Sequence, residues 1–163
     1  MGLTLSVDGD RWRTHLRTVA EANPGLVPVA KGNGYGFTLG RLARRAQWMR
    51  DHGLSCDTLA VGTYYELPQV TQRFDGDLLV LTPWRPFGAA LHVDPEIADR
   101  VIHTVGRVGD VKDLLDHQPD ARFVLERVTS MLRHGLEARE LWAIAPLLAA
   151  RPKARLEGIA LHL

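Results

Sequence analysis

The chain holds a single cysteine, Cys56, so neither an internal disulfide nor a multi-cysteine zinc site can form. Charge imbalance is equally lacking. Twenty Lys and Arg face nineteen Asp and Glu, a net of +1, which gives no electrostatic reason to expect DNA, RNA or an anionic membrane as partner. Long apolar runs are missing too: the longest, Leu141 to Ala150, is interrupted by Pro146 and is too short to span a bilayer. The N-terminal MGLTLSVDGDRW has neither the basic start nor the apolar core of a secretion signal, so a cytoplasmic location is expected. The seven histidines are scattered, and His92-x-Asp94 alone is too weak a pattern for a metal site. What is present is ordinary for a globular domain, with 45% hydrophobic and 24% charged residues, and 163 residues fit one domain. Lysine is scarce: Lys31, Lys112 and Lys153 stand among seventeen arginines. Base composition accounts for most of that bias, yet one of the three follows directly on an apolar run.

Short apolar runs alternate with helical patterns along the chain. Residues 10–22 place Trp12, Leu16 and Val19 on one helical face, and Asn23-Pro24-Gly25 stops the helix. Leu26 to Ala30 reads as a strand despite Pro28, and Gly32-Asn33-Gly34-Tyr35-Gly36 as a loop. Leu39, Leu42, Ala43, Ala46 and Met49 mark the next helix, ended by His52-Gly53. Further runs cover 58–62, 78–81, 101–105, 122–128 and 158–163, with helices expected around 66–72, from Asp94-Pro95-Glu96, and over 108–116 and 137–149. Strands this apolar suit a parallel sheet buried on both faces. Their spacing of roughly 20–36 residues brackets the roughly 31 of a (β/α)8 barrel unit. The expected fold is therefore α/β, either an open doubly wound sheet or a TIM-type barrel. For a complete barrel 163 residues are too few, leaving a portion of about six βα units.

The glycine-rich loop is not a nucleotide cradle. A dinucleotide fingerprint would need glycine where Phe37 stands, and a P-loop would need its lysine after the glycines rather than before them. What is left is Lys31 at the C-terminal end of a parallel strand, where barrel active sites are built. Partial desolvation there would lower the pKa of the amine and free a nucleophile for Schiff-base chemistry, although many strand-end lysines simply snorkel over the rim.

Val-Pro-Val-Ala-Lys31-Gly-Asn33-Gly-Tyr35-Gly36 resembles the pyridoxal-phosphate lysine motif of the alanine racemase family, in which lysine is followed by x-N-x-Y-G. Three further segments follow in the family's order. Leu59-Ala60-Val61-Gly62 with Glu66 is similar to its second strand and acidic helix start. Thr129-Ser130-Met131-Leu132-Arg133-His134-Gly135 is similar to T-G-M-x-R-x-G, and Gly158-Ile159-Ala160-Leu161-His162 to G-x-x-x-H. The resemblance implies that residues 1–163 are the N-terminal part of a pyridoxal-phosphate barrel of fold type III. The closing strands and a C-terminal β domain would be absent from them, and residues 1–163 alone would be inactive.

On that resemblance Lys31 holds pyridoxal 5'-phosphate as an aldimine and acts as base at the substrate Cα, while Tyr35 bonds the cofactor phosphate. Arg133 approaches the cofactor's phenolic oxygen and the substrate carboxylate, two anions that suit a guanidinium, and His162 stacks on the pyridine ring. The implied activity is interconversion of the L- and D-forms of a small amino acid, alanine first, by a homodimer. The alternatives are a barrel amino-acid decarboxylase and a non-catalytic pyridoxal-phosphate-binding protein. The x-Tyr35-Gly36 and Arg133 motifs speak against the decarboxylase. Departures from the family pattern are Phe37 for a histidine, Val128 and Ser130 for an aspartate and a glycine, and Glu126 for a lysine that orients the arginine. The last alters the charge beside Arg133 and bears on which substrate is taken. Asn33 is expected only to shape the turn, and Cys56 to be buried.

Overall fold

A computed structural model of the chain describes residues 3–162. Six parallel strands lie in sequence order: β1 (Val29–Ala30), β2 (Thr58–Val61), β3 (Asp77–Pro83), β4 (Val101–Val105), β5 (Arg122–Arg127) and β6 (Arg155–Leu161). Helices α1 (Gly9–Ala22), α2 (Leu39–Asp51), α3 (Leu67–Thr71), α4 (Val108–His117) and α5 (Ala138–Ala149) alternate with them. This is an incomplete TIM-type barrel, in which each strand pairs with its sequence neighbour and β1 and β6 form the two edges. Among the described residues no helix is long and apolar enough to cross a membrane.

Local chemistry explains most of the element boundaries. Asp8 caps α1 by accepting from the N–H groups of Asp10 and Arg11. Glu137 and Glu140 exchange side-chain and backbone bonds at the start of α5. The first strand is shorter than its apolar run because Pro28 has no N–H to give, although its carbonyl still accepts from Ala60 N–H at 2.8 Å. The helix expected from Asp94-Pro95-Glu96 does not form. Asp94 accepts from Glu96 N–H at 2.9 Å, but β4 begins at Val101, so the chain has room only for a turn and the 3-10 turn Ala98–Arg100. The last strand starts earlier than its run, at Arg155. Leu163, the end of that run, lies outside the described residues.

Strand register sorts the side chains into two rows. Leu59, Val61, Leu78, Val80, Val101, Val105, Phe123 and Leu125 form one buried row, packed with Ala43, Ala46, Met49, Val70, Leu114 and Ile144 of the helices. The alternate row turns to the barrel interior. It runs through Val29, Ala60, Leu79 and Leu81, Ile102 and Thr104, Val124 and Glu126, then Gly158 and Ala160. At the strands' N-terminal ends Arg122 binds both carboxylate oxygens of Asp77, at 2.7 and 2.6 Å, and Glu157 at 2.7 Å, tying β3, β5 and β6 together. The C-terminal ends, by contrast, carry the loops in which the sequence motifs lie.

Candidate active site

Lys31 directly follows β1, and by register its position continues the interior row through Val29. The chain then turns within one tight loop. Gly34 N–H donates to Lys31 O and Thr38 N–H to Asn33 O, while Asn33 Oδ1 accepts from Gly36 N–H at 3.2 Å. Gly34 has φ +66°, and a Cβ there would lie 2.3 Å from the carbonyl carbon of Thr38, so no other residue fits. Tyr35 and Thr38 are also left-handed, at φ 54° and 69°, a conformation that non-glycine residues seldom adopt. Phe37 leaves the site altogether: its ring packs on Trp12 of α1, centroids 5.3 Å apart. The loop is thereby clamped to α1 while Tyr35, 60% exposed, stands over the rim.

Glu66 fixes the same loop from the other side. Its Oε1 accepts from Gly32 N–H at 2.7 Å, and its Oε2 accepts from Gly62 and Thr63 N–H groups at 2.5 and 3.0 Å. One carboxylate therefore joins the loop after β1 to the turn after β2. The fit is close, since a Cβ on Gly62 would lie 3.0 Å from both Lys31 Cβ and Glu66 Oε2. The Thr63-x-x-Glu66 capping box behind this arrangement is legible in sequence, but its reach to Gly32 is not.

The loop after β5 closes the site. Leu136 N–H returns to Glu126 O at 2.8 Å and Val128 N–H to Leu136 O at 3.1 Å, making residues 129–135 a projecting loop. Glu126 itself is 6% exposed, and its Oε2 lies 2.9 Å from His134 Nε2. The carboxylate in the family's lysine position thus engages His134, and Arg133 forms no ion pair among the described residues.

A cavity of about 700 Å3 opens at this rim, bordered by Lys31, Tyr35, Thr63, Thr82, Arg133 and His134. The volume is in the ordinary range for a cofactor-sized ligand. Three of the four residues singled out in the sequence meet there. The fourth, His162, does not border it. It follows β6 in register with the interior row through Gly158 and Ala160, several strands from β1, and its carbonyl accepts from Thr129 Oγ1. The residues that sequence reasoning passed over are Thr82, whose hydroxyl donates to Gly62 O at 2.6 Å, and His134, hidden at an unconstrained position of a recognised motif.

Comparison with known proteins agrees with this architecture. The family profile described as alanine racemase, N-terminal domain, matches residues 7–163. The alanine racemase of Corynebacterium glutamicum superposes with a TM-score of 0.71 at 20% identity, over 94% of this chain and 43% of that one. The biosynthetic alanine racemase of Pseudomonas aeruginosa gives 0.70 at 20% identity, over 94% and 41%. The Bacillus anthracis alanine racemase with bound L-Ala-P gives 0.65 at 20% identity, over 94% and 40%. The chain therefore spans about two-fifths of the length of these structures. No curated protein matches it by sequence. With the profile covering nearly all of the chain, it belongs to the alanine racemase N-terminal domain family.

Proposed function

We propose that the chain supplies the cofactor-bearing part of a pyridoxal-phosphate-dependent racemase for a small amino acid, alanine first. The observation that carries this reading is the convergence of Lys31, Tyr35 and Arg133 on one rim cavity. The donor set suits the cofactor: a primary amine for its carbonyl, a phenol for its phosphate, and a guanidinium with no carboxylate partner among the described residues for a third oxygen. In this reading residues 1–163 form the first six units of the barrel, and the closing strands and β domain lie outside them. The complete enzyme is a homodimer in the cytoplasm.

Pyridoxal phosphate, when bound, delocalises the electron pair left at Cα after proton removal. Acid–base and anchoring groups do the rest. Lys31 would hold the cofactor and serve the proton on one face of Cα, taking it from one enantiomer and delivering it to form that enantiomer again from the other. Inversion requires a second acid–base group on the opposite face, which in this reading lies outside residues 1–163. Arg133 would hold the substrate carboxylate, and the loop pinned by Glu66, Asn33 and Gly34 fixes the backbone from which the Lys31 side chain extends. Such positioning is worth having because a near-attack geometry removes several kcal/mol from a barrier, on the order of 7–11 in well-oriented model reactions.

Borohydride reduction of the complete protein with cofactor, followed by peptide mapping, is expected to place the pyridoxyl mass on Lys31. Finding it on Lys153, or on Lys112, which pairs with Asp116 on α4, would overturn the assignment. In deuterium oxide the complete enzyme is expected to exchange the Cα hydrogen of alanine. Carbon dioxide release without exchange in recovered amino acid would make it a decarboxylase. Cofactor bound without either reaction would make it a carrier.

A further inference from the structure

A second cavity of about 730 Å3 lies beside the first, at the ends of β3, β4 and β5. The two share Thr82, Pro83 and His134 as a common wall. Two of these wall residues are rigid or committed: Pro83 has a fixed ring, and the Thr82 hydroxyl donates to Gly62 O. The third is an imidazole whose position is set by Glu126, a carboxylate with a side chain only 8% exposed, 2.9 Å away. Beyond the wall stand Arg85 and Arg107, with the carboxylates of Asp110 and Glu140 on the same cavity. Arg85 is spent on Asp110 at 3.1 Å, while Arg107 forms no ion pair among the described residues. His134 lines both cavities, whereas Arg107 lines only the second.

We propose that His134, held by Glu126, determines substrate specificity by stopping the side chain at the first cavity, so that small amino acids are accepted and long acidic ones are excluded. The inference rests on the racemase reading of the first cavity. Excluding a competitor by steric obstruction is the usual way a site discriminates where attraction alone gives little. Removing the imidazole opens the wall toward the Arg107 guanidinium, a cation that suits a distal carboxylate. It also strips the buried Glu126 of its partner, so the opening favours that carboxylate once Glu126 is neutralised in the same variant.

The test uses stable conjugates in which phosphopyridoxamine nitrogen is joined by a single bond to the Cα of alanine or of glutamate. Their dissociation constants are measured on the complete protein freed of cofactor. The wild type is expected to bind the alanine conjugate at least about tenfold more tightly than the glutamate conjugate. One missing or extra methylene is worth roughly 10- to 200-fold in a shaped pocket. His134→Ala,Glu126→Gln, which opens the wall without leaving a bare carboxylate in it, is expected to narrow or reverse that ratio by about tenfold or more. Glu126→Gln acts only through His134, so it should shift the ratio in the same direction by less. In turnover the change should appear in KM for the longer amino acid rather than in kcat for alanine. Adding Arg107→Gln to the His134→Ala,Glu126→Gln pair should lose the gain for glutamate. Equal wild-type affinity for the two conjugates, or an unchanged ratio in His134→Ala,Glu126→Gln, would overturn the wall and leave the racemase reading standing. Binding of neither conjugate would overturn both.

Discussion

Replacing Glu66 by glutamine changes one oxygen to a nitrogen and should loosen one particular turn. In the wild type the carboxylate accepts three backbone N–H bonds, one from Gly32 on Oε1 and two, from Gly62 and Thr63, on Oε2. A carboxamide keeps a single acceptor oxygen. Set at the Oε2 position, it retains the pair from the β2 turn and turns its NH2 group against the N–H of Gly32. Set the other way, it forfeits two bonds instead of one, so the first arrangement wins. A hydrogen bond to a charged acceptor contributes about 1.5–3 kcal/mol. Because the Gly32 bond is on the exposed side of the carboxylate, a loss of about 2 kcal/mol is expected, corresponding to about 30-fold in local opening. Glu66→Ala, which removes all three, should cost more, at least about 4.5 kcal/mol by the same per-bond figure. Amide hydrogen exchange in the complete protein reads this directly. Gly32 N–H should lose protection in Glu66→Gln while Gly62 and Thr63 keep most of theirs, and all three should lose it in Glu66→Ala. Yield of the reduced pyridoxyl adduct at Lys31 should fall in the same order. Unchanged protection at Gly32 in the glutamine variant would refute the claim that this carboxylate tethers the loop of Lys31.

Much of this arrangement was legible because parallel strands buried on both faces leave uninterrupted apolar runs, and β4, buried at all five positions, is the clearest example. Where the strand pattern misled, a competing local rule prevailed. Pro28 truncated β1, and Asp94 made a turn where the distance to Val101 left no space for a helix. The loop of Lys31 could be recognised from its glycines, since Gly34 is the one residue type that the approach of Thr38 permits. Side-chain direction was not legible. Glu126 was expected to change the charge beside Arg133, yet it pairs with His134, because its position on β5 faces the returning Gly135–Leu136 segment and His134 comes over it. Phe37, a departure from the family pattern, makes sense only with α1 in place, where Trp12 waits for it. His162 could be put on the interior row by counting in twos from Gly158, but no count along one strand says how far it stands from β1.

His103, on the helix-facing side of β4, should make stability depend on acid pH. Burial keeps its imidazole neutral and pushes its pKa down to about 4, with Tyr64 OH bonded to Nδ1 at 2.8 Å. The unfolded chain binds the proton between about pH 6.5 and 4 and the folded chain does not. The stability is therefore complete above pH 6.5 and falls as pH drops through this window, by on the order of 3 kcal/mol. His103→Gln should flatten that slope in urea titrations at pH 7 and pH 4.5, and an unchanged slope would assign it elsewhere. Residues 1–163 expressed alone should associate and show no exchange at the Cα of alanine. Both β1 and β6 present open edges among the described residues, and an open apolar edge templates pairing with another chain. Pro28 blunts the first edge. The second carries Ile159 and Leu161, each more than half exposed, with no proline and no lysine to guard it. Ile159→Lys puts a charge in the middle of that edge and should shift the size-exclusion profile toward monomer without restoring exchange. A wild-type 1–163 chain that runs as a single monomer and exchanges alanine would mean that these edges are closed by contacts other than strand pairing, and the account of the open barrel would fail.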